Sequence, residues 1–380
     1  MDFEFTDDQQ SLRDAVRRWV DKGFGFERRH ALAKAGGATR AVYAELAELG
    51  LAGLTIPESH GGMGFGPVDA MVVNEELGRG LVNAPYTHAA LVAPALLAAA
   101  PAALQAAWLP RMAAAEALVV LAHQERAARY RLHHVSTRAS RAAGQRQGEP
   151  WLLDGAKSIV PAGDEADAFI VPARISGAVD ATSGIGLFLV ERGAAAVRGY
   201  PTQDGARAAE VKLAGARASL ITEEGHATLE RAVDVGIAGL CAEAVGVMDR
   251  YVELTADYMN TRKQFGVPIA SFQALRHRMA DIKMQLELGR SMSYFATLKL
   301  GEPAPQRRRA VSQARVQLGH GMRFVGQQGV QLHGGIGITD EYVGSHYFKR
   351  LAMLEMMFGD TQHHLGEVAA RMQDTAGVFA

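Results

Sequence analysis

Apolar positions fall into three regimes along the chain. From residue 1 to about 116 they recur at helical spacing. In "FTDDQQSLRDAVRRWVDKGF", Leu12, Val16 and Trp19 lie on one face, Thr6 is the candidate N-cap, and acids fill the first turn. "RAVYAELAELGL" predicts a second helix stopped by Gly50, and "VDAMVVNEELGRGL" a third. Between them, the glycines and prolines of "TIPESHGGMGFGP" predict a loop. From about 117 to 222 the runs shorten and become rich in β-branched residues: "ALVVLAHQE", "WLLDGAKSIVP", "DAFIVPARI", "GIGLFLVE", "AEVKLAGARASL". Strands at this spacing predict a compact antiparallel sheet or barrel. The polar, basic stretch "RAARYRLHHVSTRASRAAGQRQGEP" interrupts them as a long loop. From 223 to 380 the helical period returns in four or five long segments with short connections, which predicts a bundle. The plan is α+β: a helical domain over 1–116, a β domain over 117–222 and a helical bundle over 223–380.

Composition narrows the function. The 380 residues carry a formal net charge of −1, which offers no electrostatic footprint for nucleic acid or an anionic membrane. The one cysteine, Cys241, excludes an internal disulfide framework and a multi-cysteine metal site; in "GIAGLCAEAVGV" it reads as core. The polar start "MDFEFTDDQQ" is no signal peptide. Pro94 and Pro101 break the alanine-rich stretch "THAALVAPALLAAAPAALQAAWL" into two short helices, so no membrane span is expected. A cytoplasmic protein follows as the expectation.

Three motifs, in order, carry a resemblance over nearly the whole chain: "LAELGLAGLTIPESHGGMGFGPVDAMVVNEELGRG", "TRKQFGVPIASFQALRHRMADI" (261–282) and "QLHGGIGITDEY" (331–342). Together they resemble the acyl-CoA dehydrogenase family. The resemblance implies FAD as cofactor, an acyl-CoA substrate, an electron-transfer flavoprotein as acceptor, and an oligomer (homodimer, homotetramer or a pairing with a second such subunit), because flavin-site motifs of the family are shared between subunits. It implies no metal.

In "RKQFG" the helix is expected to end at Gly266. Arg262 is a permanent cation suited to bidentate phosphate binding, Gln264 bonds the same diphosphate, and Phe265 packs on adenine; the alternative for Arg262 is a helix C-terminal cap. Gln273 matches a glutamine near the adenylate half. In "QLHGGIG", Gln331, Gly334 and Gly335 match flavin contacts offered to a neighbouring subunit, with glycines that allow close backbone approach or simply stop a helix. Gln362 matches a further glutamine beside the cofactor. The β domain departs from the common "TEP-x-AGSD" pattern: "LAHQERAARYRL" keeps only the glutamate, as Glu125. "LDGAKSIVPAGDEAD" keeps Gly155, Lys157 and Gly163 but has Ile159 or Val160 where an aromatic residue is usual. Ala122, Gln124 and Val160 are the implied flavin-ring contacts. Arg126, Arg129 and Arg131 suit the phosphates of coenzyme A, or form a solvated basic loop.

The family reaction is α,β-dehydrogenation of an acyl thioester, with a carboxylate taking the α-proton as a hydride leaves the β-carbon. Counted from "QLHGG", the usual glutamate position falls on Phe358, followed by Gly359. Two other carboxylates are candidates. Glu243 lies in the otherwise apolar first bundle helix. It is seven residues past Gly236, the place some members use, hence on the same face and ~10 Å along the axis. It is either the base or a structural carboxylate paired with a buried arginine. Asp360 is either the base or the N-cap of the next helix. His363 and His364 point ~100° apart and make no metal pair. The departures imply a divergent subset acting on bulky, dicarboxylic or steroid-type acyl-CoAs, some of them assembled from two unlike subunits. Two other readings stay open: an oxidase or monooxygenase on the same fold, and a catalytically silent or half-site subunit.

Overall fold

The structure is a computed structural model that describes residues 4–141 and 150–372. The chain divides into two compact units, Met1–His30 with Pro67–Val82 and Ile237–Ala380, and Ala31–Gly66 with Asn83–Gly236.

The first unit is helical. Helix α1 (Asp7–Gly23) opens on a capping box in which the Thr6 hydroxyl accepts from the Gln9 N–H and the Gln9 side chain accepts from the Thr6 N–H, satisfying two of the donors a helix start leaves open. A short helix α2 (Phe26–Lys34) follows, absent from the sequence expectation because its apolar positions are few and form no stripe. In the second unit come α3 (Arg40–Glu48), α5 (Ala93–Leu97) and α6 (Ala102–Ala113), while α4 (Pro67–Arg79) returns to the first unit and packs on α1. The bundle comprises α7 (Gly225–Thr261), α8 (Gln273–Leu298), α9 (Ala304–His333), α10 (Val343–Met356) and α11 (Thr361–Ala370), with α8, α10 and α11 all packed on α9. Helices α4 and α7 cross backbone to backbone. A Cβ at Gly78 would run into the Glu243 carbonyl, and one at Gly246 into the Glu75 carbonyl. Glycine at both points lets the helices meet at van der Waals distance.

The second unit is built on seven strands: β1 (Val119–Leu121), β2 (Arg138–Ser140), β3 (Trp151–Pro161), β4 (Ala168–Arg174), β5 (Ile185–Glu191), β6 (Ala196–Pro201) and β7 (Arg207–Thr222). The order β1-β4-β2-β3-β7-β5 closes on itself because β4 also pairs with β5 along its whole length, leaving a barrel with few free edges. Strand β4 is buried throughout, which is why "AFIVPAR" reads as a continuous apolar run and not as an alternation. The basic stretch expected as loop contributes the short strand β2, parallel to β4 and antiparallel to β3; residues 142–149 of it lie outside the described residues.

Two local expectations change. The helix before "RKQFG" ends at Thr261, and Lys263–Gln264 (β8) pair with Val267–Pro268 (β9) in a hairpin whose two turn residues, Phe265 and Gly266, have φ of 53° and 81°. Two consecutive left-handed residues form the hairpin turn that matches strand twist. The first of the two short alanine-rich helices begins as a π-helical stretch, Thr87–Val92, which runs directly into α5.

Candidate active site

Glu243 and Arg350 form the central feature of the helical unit. Glu243 sits at mid-length of α7, 7% exposed, and Arg350 of α10 is equally covered. Arg350 donates to one carboxylate oxygen, Oε1, from Nε at 2.6 Å and from Nη2 at 2.5 Å. Two buried ions cannot stay charged without each other, so the paired reading of Glu243 is the one this geometry contains.

Asp360 caps α11: its Oδ1 accepts from the His363 N–H at 2.8 Å. The turn before it is clamped from inside. Arg315, 1% exposed, donates to the carbonyls of Leu354, Met357 (2.8 Å) and Gly359 (3.3 Å), and His364 Nε2 donates to the Phe358 carbonyl at 3.2 Å. Burial first, and the Arg315 charge second, push the His364 imidazole down to about 2, so it is neutral and donates from Nε2. This clamp holds Phe358 at φ 55° and Gly359 at φ 119°. Orphan helix-end carbonyls need such partners, and a buried guanidinium can serve several at once.

The residues matched to a dinucleotide are exposed. Arg262, Gln264 and Phe265 lie on the β8–β9 hairpin, and the Phe265 ring is 92% exposed. Gln264 turns back to its neighbour, donating to the Lys263 carbonyl at 2.9 Å. Gln273 is the exposed first residue of α8. Gln331, Gly334 and Gly335 are exposed at the end of α9, where Gly334 takes φ 66° and ψ −143°, and nothing lies within 4 Å of a Cβ built on either glycine. Next to them, His333 is buried and donates from Nδ1 to the Gly329 carbonyl at 2.8 Å; burial lowers its pKa, and its ring stacks on Tyr251 with centroids 5.8 Å apart. Gln362 is exposed on the first turn of α11.

In the barrel unit, Ala122 is buried and Gln124 half-buried; the Gln124 carbonyl accepts from the Ser158 N–H at 2.8 Å. Val160 is 1% exposed and packs beside Gly163, whereas Ile159, at φ 52° in a bulge between Lys157 and Val160, is 50% exposed. Of the two positions weighed from the sequence, Ile159 is the one turned outward. Next to this bulge lies a feature that sequence reasoning noted only as matched letters: Glu125 and Lys157, both buried, paired at 2.6 Å. Burial alone would raise the Glu125 carboxyl. Lys157 and the hydroxyls of Ser136 and Thr137 outweigh it and hold the group at about 2. Burial and then the Lys157 charge lower the neighbouring His123 to about 4, leaving it neutral. Of the basic loop, Arg131 meets Asp180 at 3.5 Å and Arg126 meets Glu210 at 3.5 Å, both weak surface pairs; Arg129 lies over the Tyr130 ring.

Among the described residues, one cluster has the composition of a metal centre: His30, Asp340 and His346 bring ligand atoms within 4.8 Å of one another. The hydrogen bonds argue against that use. Arg29 donates to His346 Nδ1 at 2.7 Å, so Nε2 carries the ring proton and donates to the Asp340 carbonyl at 2.8 Å. Lys349 already binds the Asp340 carboxylate at 3.0 Å. With both ring nitrogens of His346 engaged and two cations adjacent, the cluster serves as an anchor for the loop after α9.

The helix–barrel–helix order recurs in solved structures. Glutaryl-coenzyme A dehydrogenase in its glutaryl-CoA complex superposes with a TM-score of 0.90 over 98% of this chain and 97% of that one, at 22% identity. The ChsE4–ChsE5 complex of Mycobacterium tuberculosis gives 0.86 over 99% and 100%, at 26% identity. Family models for the acyl-CoA dehydrogenase N-terminal and C-terminal domains match residues 6–116 and 223–373. Acyl-CoA dehydrogenase IpdE2 of M. tuberculosis is 32% identical over 351 residues, covering 90% of this chain and 91% of that protein, and FadE27 of the same organism is 27% identical over 99% and 100%. The chain belongs to the acyl-CoA dehydrogenase family, FAD-dependent oxidoreductases. Its exposed donor set fits such a cofactor: a free aromatic face and a guanidinium on one hairpin, and a backbone turn open on its glycine side. Among the described residues no helix is long and apolar enough to cross a membrane.

Proposed function

We propose that the chain oxidises an acyl-CoA thioester to the trans-2-enoyl-CoA and passes the electrons to an electron-transfer flavoprotein. When bound, FAD supplies the hydride acceptor for the β-carbon. Arg262 and Gln264 bind its diphosphate and Phe265 its adenine. Gln273, Gln331, Gly334, Gly335 and Gln362 complete the cofactor contacts across subunits of an oligomer. The backbone around Ala122 and Gln124, with Ile159 in preference to the buried Val160, faces the flavin ring. Glu243 takes the α-proton.

The observation that carries the choice of base is the contrast between the two carboxylates. Asp360 is spent on the α11 cap. Glu243 stands in a desolvated helix seam, with Arg350 as counter-ion. A base in such a seam needs a neutralising partner until substrate arrives, and a desolvated carboxylate is the stronger base once released. The substrate class we assign is bulky. The segment Thr87–Val92 is π-helical, a distortion that occurs mainly at functional sites, and a structural relative is described as a steroid acyl-CoA dehydrogenase (25% identity, TM-score 0.87).

A second reading is a subunit of a two-chain enzyme in which the partner supplies the base. It is favoured by Phe358 at the family's glutamate position and by the pairing of Glu243, and the ChsE4–ChsE5 structure is itself a complex of two chains. One experiment separates the two. The chain is purified alone, its flavin absorbance is read, and a panel of acyl-CoAs is added anaerobically. Bleaching that Glu243→Gln abolishes while flavin stays bound supports the first reading. Yellow protein that no thioester bleaches refutes it and supports the second. Colourless protein refutes the cofactor assignment.

A further inference from the structure

The Glu125 carboxylate is where three backbone segments of the barrel unit meet. Oε2 accepts from the Ser136 N–H (2.8 Å) and the Ser136 hydroxyl; Oε1 accepts from the Thr137 N–H (3.1 Å), the Thr137 hydroxyl (2.7 Å) and Lys157 Nζ (2.6 Å). Five donors exceed the roughly four lone-pair sites a carboxylate offers, so the group is saturated and has no capacity left to act on a substrate proton. Lys157 is 0% exposed and is held in a dry environment by this one carboxylate. Such a pair contributes little net stability compared with an apolar equivalent, but it is intolerant of any shift in its partners.

Its placement gives that intolerance a use. Glu125 follows Gln124, whose carbonyl takes the Ser158 N–H, and Lys157 precedes the bulge that turns Ile159 outward. Segment 122–125 and segment 157–160 are thus tied by one main-chain bond and one ion pair, on adjacent residues of each segment. The glutamate and the lysine are retained here although the proline, glycine and serine usual after that glutamate are replaced by "RAARY". A loop without those conformational restraints needs another fixed point, and the carboxylate supplies it.

We propose that Glu125 and Lys157 are positioning residues for the flavin ring: they hold the backbone of Ala122–Gln124 and the Ile159 bulge in the arrangement that the ring rests on. This rests on the reading above that this end of the barrel faces the isoalloxazine. Neither residue touches the reacting atoms.

The test uses the full chain as purified with FAD, compared with Glu125→Gln, Lys157→Met and the double variant Ser136→Ala/Thr137→Val, which trims two donors and leaves both charges. All are assayed well below their melting temperatures. Expected for each variant are a rise in FAD dissociation constant of about tenfold, the loss of one charge-assisted contact, a loss of vibrational structure in the flavin absorption band, and a fall in kcat with KM for acyl-CoA nearly unchanged. In the flavin-free protein, amide hydrogen exchange over residues 122–137 should accelerate while the strands β5 and β7 keep their protection. If the single variants do not fold, the hydroxyl double variant carries the test. Wild-type chain that binds no FAD would overturn the underlying reading. Wild-type chain that binds FAD, with folded variants whose flavin spectrum, affinity and kcat match it, would overturn this inference alone.

Discussion

Replacing Arg350 by methionine removes the guanidinium from Glu243 while keeping most of the volume of the side chain. The two groups are in contact at 2.5 and 2.6 Å, each side chain is only 9% exposed, and the pair lies where α7 and α10 face each other inside one unit. Removing one partner of a buried pair costs roughly 3–5 kcal/mol, because the remaining charge keeps its desolvation penalty without its attraction. Glu243→Gln should cost a similar amount by leaving the arginine. The double variant Glu243→Gln/Arg350→Met carries no buried charge and should recover most of the loss, giving a coupling energy of at least about 2 kcal/mol. Urea unfolding followed by the helical circular-dichroism signal measures all four corners of the cycle. A single Arg350→Met cost below about 1 kcal/mol, or additive losses in the double variant, would refute the argument that this pair is buried and mutually dependent. The same proteins serve the flavin-bleaching assay, so the structural role of Glu243 and its role as base are read on one set of variants.

Three further outcomes are expected. Asp360→Ala should lose about 1 kcal/mol of stability, the worth of an N-cap, with anaerobic flavin bleaching slowed no more than a few-fold, whereas Asp360→Asn should keep the cap; a loss of bleaching in both would make Asp360 the base. Phe358→Glu places a carboxylate at a turn already clamped by Arg315 and His364, so adding it to Glu243→Gln should restore measurable bleaching, and its failure to do so would count against that turn facing the substrate. For Glu125, whose carboxyl is held at about 2 when folded and returns to the ordinary glutamate range near 4 when unfolded, the stabilising contribution is complete above that range and fades as pH falls towards 2; Glu125→Gln should flatten the acid limb of melting temperature against pH, and an unchanged limb would deny the depressed value.

Most of the architecture was legible because it depends on periodicity. The long helices of the bundle, the barrel strands and the Thr6 cap all follow from side-chain spacing and from donors that must be satisfied locally. Helix α2 was not legible, since "FERRHALAK" has no apolar stripe and its placement depends on tertiary partners such as His346, to which Arg29 donates. The "RKQFG" hairpin departs from the helix end that its sequence predicts: Phe265 at φ 53° is a conformation that residue propensity disfavours, and only pairing of Lys263 with Pro268 and of Gln264 with Val267 settles it.

The chemistry divides in the same way. Residue types and their order were enough to point to the family and its cofactor, because the motifs around Arg262, Phe265 and the Gly334–Gly335 pair are each contiguous in sequence and need little from distant parts of the chain to be read. What Glu243 is bonded to was decided by α10, more than a hundred residues later. What Glu125 does was decided by the arrival of Ser136, Thr137 and Lys157 around it. A carboxylate in a sequence is only a charge; its partners, and so its basicity and role, are set by whichever elements the fold packs against it, and those contacts are non-local.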